Sequence, residues 1–164
     1  MHPESYAAMA ELLARAPASA ETCLDVGSFD VNGTFRPLAE ARGWTYTGID
    51  IREGPNVDAV VDPYHWGGRA GRFDVVLSGS TLEHVERPWL WIKEAARVLK
   101  PGGLLALHTH WSFPLHEYPR DYWRFMPAGI ETLFDEAGLL ERYDIQIINS
   151  MDIVGAAFKR EAAR

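Results

Sequence analysis

The chain has 164 residues, of which 47% are hydrophobic and 24% are charged, and its formal net charge is −7. This length suits one domain with a full hydrophobic core and excludes two large domains. The negative charge argues against a general binder of nucleic acid or of anionic membranes, because Lys and Arg hold such partners.

The N-terminal residues and the single cysteine favour a protein that stays in the cytoplasm. Met1-His2-Pro3-Glu4 lacks the basic-then-apolar order of a secretory signal. No apolar run approaches the ~20 residues that a membrane span needs. Cys23 lies inside a predicted strand, where a small buried core residue in a reducing compartment is expected. We therefore expect a cytoplasmic protein with no membrane partner.

Hydrophobic periodicity predicts strands that alternate with helices along the chain. In chain order, the predicted elements are a helix over 5–15, a strand over 22–26, a helix over 34–41, strands over 45–49, 58–61 and 73–77, a helix over 88–99, a strand over 104–108, a helix over 127–137, and strands over 143–148 and 153–159. The run 73–77 is almost continuously apolar, which is typical of a central parallel strand. This order predicts an α/β fold: a doubly wound, mostly parallel Rossmann-like sheet with helices on both faces and a C-terminal antiparallel edge hairpin.

Polar residues follow the predicted strands at their carboxyl ends. The first strand ends near Asp25 and turns on Gly27, which aims backbone N–H groups at the sheet edge. The second strand ends in Asp50, whose carboxylate can accept both hydroxyls of a ribose. Asp62 and His108 fall at or just after further strand ends. A glycine turn followed by such an acid predicts a cofactor that contains a nucleoside.

The glycine turn disfavours a dinucleotide. A nicotinamide site is typically built on G-x-G-x-x-G, whereas the chain reads Gly27-Ser28-Phe29-Asp30-Val31-Asn32-Gly33. The middle glycine is missing, and Asp30 would bring negative charge close to two phosphates. A nicotinamide-dependent oxidoreductase is therefore a minor alternative.

From about Thr22 to Leu139 the chain resembles the class I S-adenosylmethionine-dependent methyltransferases, in particular a methyltransferase type 11-like domain. The segments that carry the resemblance are Leu24-Asp25-Val26-Gly27, Gly48-Ile49-Asp50, Val61-Asp62, Phe73-Asp74-Val75-Val76-Leu77-Ser78, Thr81-Leu82-Glu83-His84-Val85 and Arg97-Val98-Leu99-Lys100-Pro101-Gly102-Gly103-Leu104. The chain departs from the family at Phe29, where a second glycine is usual. The resemblance implies S-adenosylmethionine as the cofactor and an enzyme that transfers its methyl group.

The resemblance also implies a set of cofactor-binding residues. These are Asp25, Gly27, Ser28, Gly33, Asp50, Ile51, Asp62, Ser78 and Gly79. Asp25 would orient the ammonium of the methionine part, Asp50 would bind the ribose, and Asp62 would reach the adenine amino group. The structural alternative for Asp25 and Asp62 is a cap of the turn that each begins. We expect one domain over 1–164, with a leading helix over 1–20, a cofactor-binding half over 21–110 and an acceptor side over 111–164.

Histidines are the candidates for a general base, which a hydroxyl acceptor would need. His84 is one candidate, and we place the catalytic role on His108, His110 and His116. The alternative is that these histidines are hydrogen-bonded parts of the protein framework. Together with Asp121 the last three have the residue types of a metal site, but their spacing matches no familiar ligand pattern. We therefore predict no metal.

The segment 109–126 is rich in aromatic residues and proline, and it either lines an acceptor pocket or seals the sheet edge. The run from Tyr118 to Phe125, with Pro127 and Gly129, resembles a stretch of methyltransferases associated with sugar and cell-surface polysaccharide synthesis. We therefore expect a small-molecule or sugar hydroxyl as the acceptor, with no nucleic acid partner; the oligomeric state stays open. The alternative is a non-catalytic S-adenosylmethionine-binding or interaction protein with the same fold.

Overall fold

The computed structural model describes residues 2–139 and 143–161, and in these ranges seven strands form one sheet. The elements are α1 (Pro3–Leu13), β1 (Thr22–Val26), α2 (Arg36–Glu40), β2 (Thr45–Asp50), β3 (Ala59–Val60), β4 (Phe73–Gly79), a short 3-10 helix (Leu82–His84), α3 (Pro88–Val98), β5 (Leu99–His110), α4 (Pro127–Glu136), β6 (Tyr143–Ile147) and β7 (Asp152–Phe158). None of the helices in the described ranges is both long enough and apolar enough to cross a bilayer.

The strand order in the sheet is β3-β2-β1-β4-β5-β7-β6. Strands β1 to β5 pair in parallel, while β7 runs antiparallel to both β5 and β6. The predicted doubly wound sheet with a C-terminal antiparallel hairpin is therefore confirmed. Because the chain winds outward in both directions from β1 and β4, the crevice for a ligand is expected above the carboxyl ends of these two strands.

The core lies on both faces of the sheet. On one face, side chains from α3 and α4, including Trp91 and Phe134, pack on the inner strands. On the other face, Met9 and Leu13 of α1 pack against the opposite sides of the same strands. Cys23 is fully buried in this second cluster, as predicted. The two apolar layers fix the central strands, so the residues at their carboxyl ends have defined positions.

Both predicted boundaries of β5 are wrong, and each difference has a structural cause. Strand β5 begins at Leu99 rather than 104, since residues 100–103 form a bulge between the pairs Phe73–Leu99 and Val75–Leu104. The same strand extends to His110 because β7 pairs with it as far as Asp152. His110 therefore lies on a strand, and the aromatic loop (residues 111–126) begins one residue later.

Helix α2 spans only Arg36–Glu40, whereas the sequence predicts a helix over 34–41. The hydroxyl of Thr34 accepts a hydrogen bond from the backbone N–H of Arg36, at 3.0 Å. Thr34 thus lies before the helix, where its hydroxyl forms a turn with the backbone two residues further on, and Phe35 occupies the N-cap position.

Candidate active site

A cavity of about 780 Å³ opens above the carboxyl ends of β1, β2, β4 and β5. Eight residues that the sequence nominates line it: Gly27, Gly33, Asp50, Ile51, Gly79, His108, His110 and His116. Asp25, Ser28, Asp62 and Ser78, which the sequence also nominates, are not among the lining residues. The structure thus brings the predicted cofactor turns and the three predicted catalytic histidines to one site.

The glycine turn after β1 is closely packed. Gly27 has φ +78°, and a Cβ at this position would overlap the side chain of Thr81. Its backbone N–H donates a hydrogen bond to the carbonyl of Ile49, at 2.9 Å. The carboxylate of Asp30 accepts a hydrogen bond from the backbone N–H of Gly33, at 2.7 Å, and so closes the turn. Only glycine provides both the positive φ and the close approach to Thr81.

Asp50 lies at the end of β2, and each of its carboxylate oxygens accepts one hydrogen bond from the backbone. Its Oδ2 accepts the backbone N–H of Phe29, and its Oδ1 accepts that of Arg52, each at 3.3 Å. Ile51, which is 52% exposed, follows it along the cavity. An ionised carboxylate has about four acceptor positions, so Asp50 retains capacity for hydroxyl donors.

Asp25 lies behind the cavity rather than in its lining. Its side chain is buried, and its Oδ2 accepts a hydrogen bond from the hydroxyl of Tyr46, at 2.6 Å. Burial raises the pKa of Asp25 to about 7, although the Tyr46 hydrogen bond acts in the opposite direction. The hydroxyl of Tyr46 in turn accepts a hydrogen bond from the side-chain amide of Asn56, at 2.8 Å. Asp25 therefore belongs to a buried polar network below the glycine turn.

The other three nominated residues that do not line the cavity bond to neighbouring backbone. The hydroxyl of Ser28 donates to the carbonyl of Asn56, at 3.0 Å. The hydroxyl of Ser78 donates to the carbonyl of Val26, at 2.7 Å, and so joins the ends of β4 and β1. Asp62 is exposed, and its Oδ1 accepts a backbone N–H two residues further on, at 2.8 Å. Both chain neighbours of Asp62 line the cavity.

Phe29, where the chain departs from the family pattern, contacts two other segments. Its ring occupies the space that a Cβ on Gly54 would need. The guanidinium of Arg52 lies 4.2 Å from the centroid of this ring and 4.5 Å from that of Tyr118. Arg52 thus joins the glycine turn to the aromatic loop by two cation–π contacts. The pairing of Arg52 with Tyr118 was not predicted, since no local pattern in the sequence indicates it.

His108 and His110 lie on β5 beside the first residue of β7. His110 Nδ1 lies 2.8 Å from Asp152 Oδ1, and His108 Nε2 lies 3.5 Å from Asp152 Oδ2. The other nitrogen of His108 lies 3.2 Å from the hydroxyl of Ser80. Burial lowers the pKa of His110, although nearby carboxylates raise it. Burial raises the pKa of Asp152, but hydrogen bonds from its polar neighbours outweigh this and hold it below the ordinary value.

Glu83 lies on the opposite side of these histidines and is fully buried. Its Oε2 accepts a hydrogen bond from the hydroxyl of Thr109, at 2.7 Å. Its Oε1 lies 3.2 Å from His110 Nε2 and 3.9 Å from His84 Nε2. The ring of His116 stands 4.8 Å from that of His84. Neither Glu83 nor Asp152 is predicted as a site residue, because their contacts with these histidines join segments that are distant in the chain.

The aromatic loop covers the cavity and is held at several points. Seven of its residues line the cavity: Phe113, His116, Glu117, Tyr118, Pro119, Arg120 and Tyr122. The indole N–H of Trp123 donates to the carbonyl of Val85, at 2.9 Å. Arg124 pairs with both oxygens of Asp121 and also donates to the carbonyl of Phe113, at 2.8 Å. The segment thus lines the cavity, and its Phe125 is also buried in the core, so the structure displays features of both predicted roles.

The comparisons with known proteins agree with this architecture. The family model of a methyltransferase domain matches residues 2–144. An uncharacterized methyltransferase of Mycobacterium ulcerans is 36% identical over 109 residues, which cover 57% of this chain and 41% of that protein. A ubiquinone biosynthesis O-methyltransferase of Pseudomonas paraeruginosa is 33% identical over 110 residues, which cover 58% of this chain and 47% of that protein. The chain thus spans less than half of the length of each of these relatives.

Solved structures share the fold at lower identity. A 1,6-didemethyltoxoflavin-N1-methyltransferase of Burkholderia thailandensis, with bound 1,6-didemethyltoxoflavin and S-adenosylhomocysteine, has a TM-score of 0.75 and 19% identity over 97% of this chain and 78% of that chain. S-adenosylhomocysteine is the product that remains when S-adenosylmethionine loses its methyl group, which agrees with the predicted cofactor. The chain therefore belongs to the methyltransferase domain family, and its predicted membership of the class I S-adenosylmethionine-dependent methyltransferases is confirmed.

Proposed function

We propose that this chain transfers a methyl group from S-adenosylmethionine to a hydroxyl of a small molecule or a sugar. The observation that carries the proposal is a single cavity of about 780 Å³ with Asp50 on one side and His108 on the other. When bound, the cofactor supplies a methyl group on a positively charged sulfur. This sulfur is a good leaving group, because it becomes a neutral thioether when the methyl group is transferred. The protein then has to bind the cofactor, place the acceptor hydroxyl in line with the methyl group and remove the proton of that hydroxyl.

The cofactor side is formed by the turns after β1, β2 and β4. We assign the ribose to Asp50, since its oxygens keep acceptor capacity and lie at the cavity. Gly27, Gly33, Ile51 and Gly79 are the other proposed contacts, because they line the cavity along these turns. For Asp25, Ser28, Asp62 and Ser78, which lie just outside the lining, we propose support of the turns through their hydrogen bonds.

Among the three nominated histidines, His108 has the geometry that best suits a base. It is paired in register with Gly79, so it stands next to the proposed cofactor contacts. Its Nδ1 lies 3.2 Å from the hydroxyl of Ser80, another lining residue, and Asp152 Oδ2 lies 3.5 Å from its buried Nε2, where it would stabilise the imidazolium. Each nitrogen of His110 faces a carboxylate, that of Asp152 or that of Glu83, so we propose that His110 holds these two side chains in position. We assign His116, on the loop, to the acceptor side of the cavity.

The choice of a hydroxyl acceptor rests on two similarities. The Pseudomonas relative at 33% identity is named an O-methyltransferase. The loop run from Tyr118 to Phe125 resembles a stretch of methyltransferases associated with sugars. Within that loop, Arg124 is already paired with Asp121, so this arginine is not available to hold an anionic acceptor. We further propose that the protein acts in the cytoplasm on a free small molecule rather than on nucleic acid.

Calorimetric titration of the full chain with S-adenosylhomocysteine is the first test. We expect one site with micromolar affinity. Transfer of a labelled methyl group to a panel of hydroxylated small molecules and sugars is the second test. No binding at millimolar ligand would overturn the cofactor site, whereas binding without transfer to any acceptor would favour a non-catalytic S-adenosylmethionine-binding protein.

A further inference from the structure

Three side chains at the loop side of the cavity converge without being explained by methyl transfer. Glu83, His84 and His116 each offer one possible ligand atom, and these atoms lie within 4.8 Å of one another. Glu83 and His84 belong to the short 3-10 helix after β4, and His116 belongs to the aromatic loop. The two histidines line the cavity, so the cluster is accessible to a small ion from that side.

Two side-chain atoms of these residues are buried and lack a hydrogen-bond partner. They are Oε1 of Glu83 and Nδ1 of His116. His116 Nδ1 lies 3.4 Å from Asp121 Oδ2, but that oxygen already accepts the backbone N–H of His116, at 2.9 Å. Buried polar atoms almost always have a partner. An unpartnered carboxylate oxygen and an unpartnered imidazole nitrogen within one cluster of possible ligands therefore point to a further group that binds there.

The remaining atoms of the cluster are oriented by neighbours in the way that metal ligands usually are. His84 Nδ1 lies 2.6 Å from the backbone carbonyl of Arg120, which can only accept a hydrogen bond. Nδ1 therefore carries the hydrogen, and Nε2 presents its lone pair toward Glu83 Oε1, 3.9 Å away. The hydroxyl of Thr109 donates to the other oxygen of Glu83, at 2.7 Å, so that Oε1 faces the two histidine nitrogens, of which His110 Nε2 lies 3.2 Å away. Such outer partners fix the tautomer and direction of a ligating side chain.

The charge balance also favours a cation. Glu83 is fully buried, and among the described residues the basic groups within 4.0 Å of its carboxylate are two histidines, His84 and His110. A buried carboxylate is costly unless it is paired with a positive charge or coordinates a metal. Neither Lys nor Arg reaches this carboxylate at ion-pair distance within the described ranges.

We propose that Glu83 Oε1, His84 Nε2 and a ring nitrogen of His116 bind a divalent first-row transition-metal ion. Two imidazoles and one carboxylate match the ligand preferences of Zn²⁺ and of Co²⁺, its common spectroscopic substitute. Because such ions bind nitrogen at about 2.0–2.1 Å, the ligands have to move slightly closer together. We assign that movement to His116, since its loop lies outside the strand pairing and is joined to its surroundings by separate hydrogen bonds, such as that from the backbone N–H of Tyr122 to the carbonyl of Glu83, at 2.8 Å. The open coordination positions of the ion would face the acceptor side of the cavity.

A neighbouring cluster, His108, His110 and Asp152, also has the residue types of a metal site. Its carboxylate is already occupied, because Asp152 accepts hydrogen bonds from Ser5, at 2.8 Å, and from Asn149, at 3.1 Å, and contacts His110. We therefore place the ion at the Glu83 cluster and use the Asp152 cluster as the internal comparison. The metal proposal does not depend on methyl transfer, because it concerns binding of the ion alone.

The test uses the full chain, freed of metal with a chelator and titrated with Co²⁺ and with Zn²⁺. We expect one ion per chain and visible absorption bands of protein-bound Co²⁺. His84→Gln, His116→Gln and Glu83→Gln should each weaken binding by at least about tenfold. His65→Gln, a change of an exposed histidine outside the cavity lining, should leave the affinity unchanged. Asp152→Asn should also retain the ion.

Folding of each variant is checked by circular dichroism. Where Glu83→Gln does not fold, because Glu83 is buried, the affinity of His116→Gln for the metal ion decides the test. The proposal would be overturned by absence of binding at millimolar Co²⁺ and Zn²⁺. Unchanged affinity in both His84→Gln and His116→Gln would overturn it equally, and loss confined to Asp152→Asn would move the ion to the neighbouring cluster. Titration with S-adenosylhomocysteine, run on the same samples, reports the cofactor site separately, so failure of one proposal is distinguishable from failure of the other.

Discussion

The guanidinium of Arg52 lies 4.5 Å from the ring centroid of Tyr118. Arg52 follows the proposed ribose-binding acid by two residues, whereas Tyr118 belongs to the aromatic loop. The contact therefore connects the cofactor side of the cavity to the segment that covers it. Any movement of the loop away from the cavity has to break this contact.

We expect Tyr118→Leu to weaken binding of S-adenosylhomocysteine by about two- to fivefold. An exposed cation–π contact contributes about 0.5–1 kcal/mol, and its loss would loosen the loop over the cavity. Calorimetric titration measures the affinity, and limited proteolysis within residues 111–122 reports the looser loop. Tyr118→Phe keeps the ring and serves as the matched control. Equal affinity and equal proteolysis in all three proteins would contradict the coupling.

Replacement of Asp50 by Ala should reduce affinity for S-adenosylhomocysteine at least tenfold. A carboxylate can accept hydrogen bonds from both ribose hydroxyls, and hydrogen bonds to charged groups contribute about 1.5–3 kcal/mol. Glu53→Ala removes an exposed carboxylate three residues away and is the control. If Asp50→Ala and Glu53→Ala bound the ligand equally well, the ribose assignment would be wrong.

His108→Gln should lower kcat for a hydroxyl acceptor by about 10²–10⁴-fold, with little change in cofactor affinity. Glutamine can keep a hydrogen bond to Ser80 but cannot take up a proton. Steady-state kinetics with the acceptor identified in the panel give kcat, and His65→Gln is the control. A kcat that stays within twofold of the unchanged protein would remove His108 from the role of base.

Asp25 predicts a specific dependence of stability on pH. Burial raises its pKa to about 7 from the ordinary 3.8. Below about pH 4 the carboxyl is protonated in both the folded and the unfolded chain, so its contribution to the free energy of unfolding is fully present. Between about pH 4 and 7 the unfolded chain loses this proton and the folded chain keeps it, which lowers the free energy of unfolding as the pH rises. Above about pH 7 the free energy of unfolding stays lower by the full amount, on the order of 4 kcal/mol.

Asp25→Asn does not titrate and can still accept the hydrogen bond from Tyr46. Its free energy of unfolding should therefore rise relative to that of the unchanged protein between pH 4 and 7, and remain level beyond. Denaturant unfolding at several pH values measures this difference. A difference that is constant with pH would contradict the raised pKa.

The fold was predictable because its signals are local. The apolar run 73–77 indicates a central strand, and β4 contains it. The turn at Gly27 and the acid at Asp50 mark the carboxyl ends of two neighbouring strands, and both residues line the cavity. The extension of β5 to His110 was not predictable in the same way. It depends on pairing with β7, which begins more than forty residues later in the chain.

The histidine and carboxylate clusters arise from contacts between distant segments. His116 is separated from Glu83 by a helix and a strand, and the loop brings them together by bonding to the backbone after β4, as Trp123 does at Val85. Asp152 reaches His110 through antiparallel pairing. Residue types alone suggested Asp121 as the carboxylate near the histidines, but Arg124 occupies it in the structure.

The ring of Phe29 packs directly against the backbone of Gly54, so the large side chain at position 29 requires a residue without a side chain at position 54. The phenyl ring fills the space that any side chain at position 54 would enter. The departure from the usual glycine turn therefore transfers the requirement for glycine from one loop to the facing loop. Among homologues, the two positions should vary together, so that a bulky residue at 29 accompanies glycine at 54 and a glycine at 29 releases position 54 to vary.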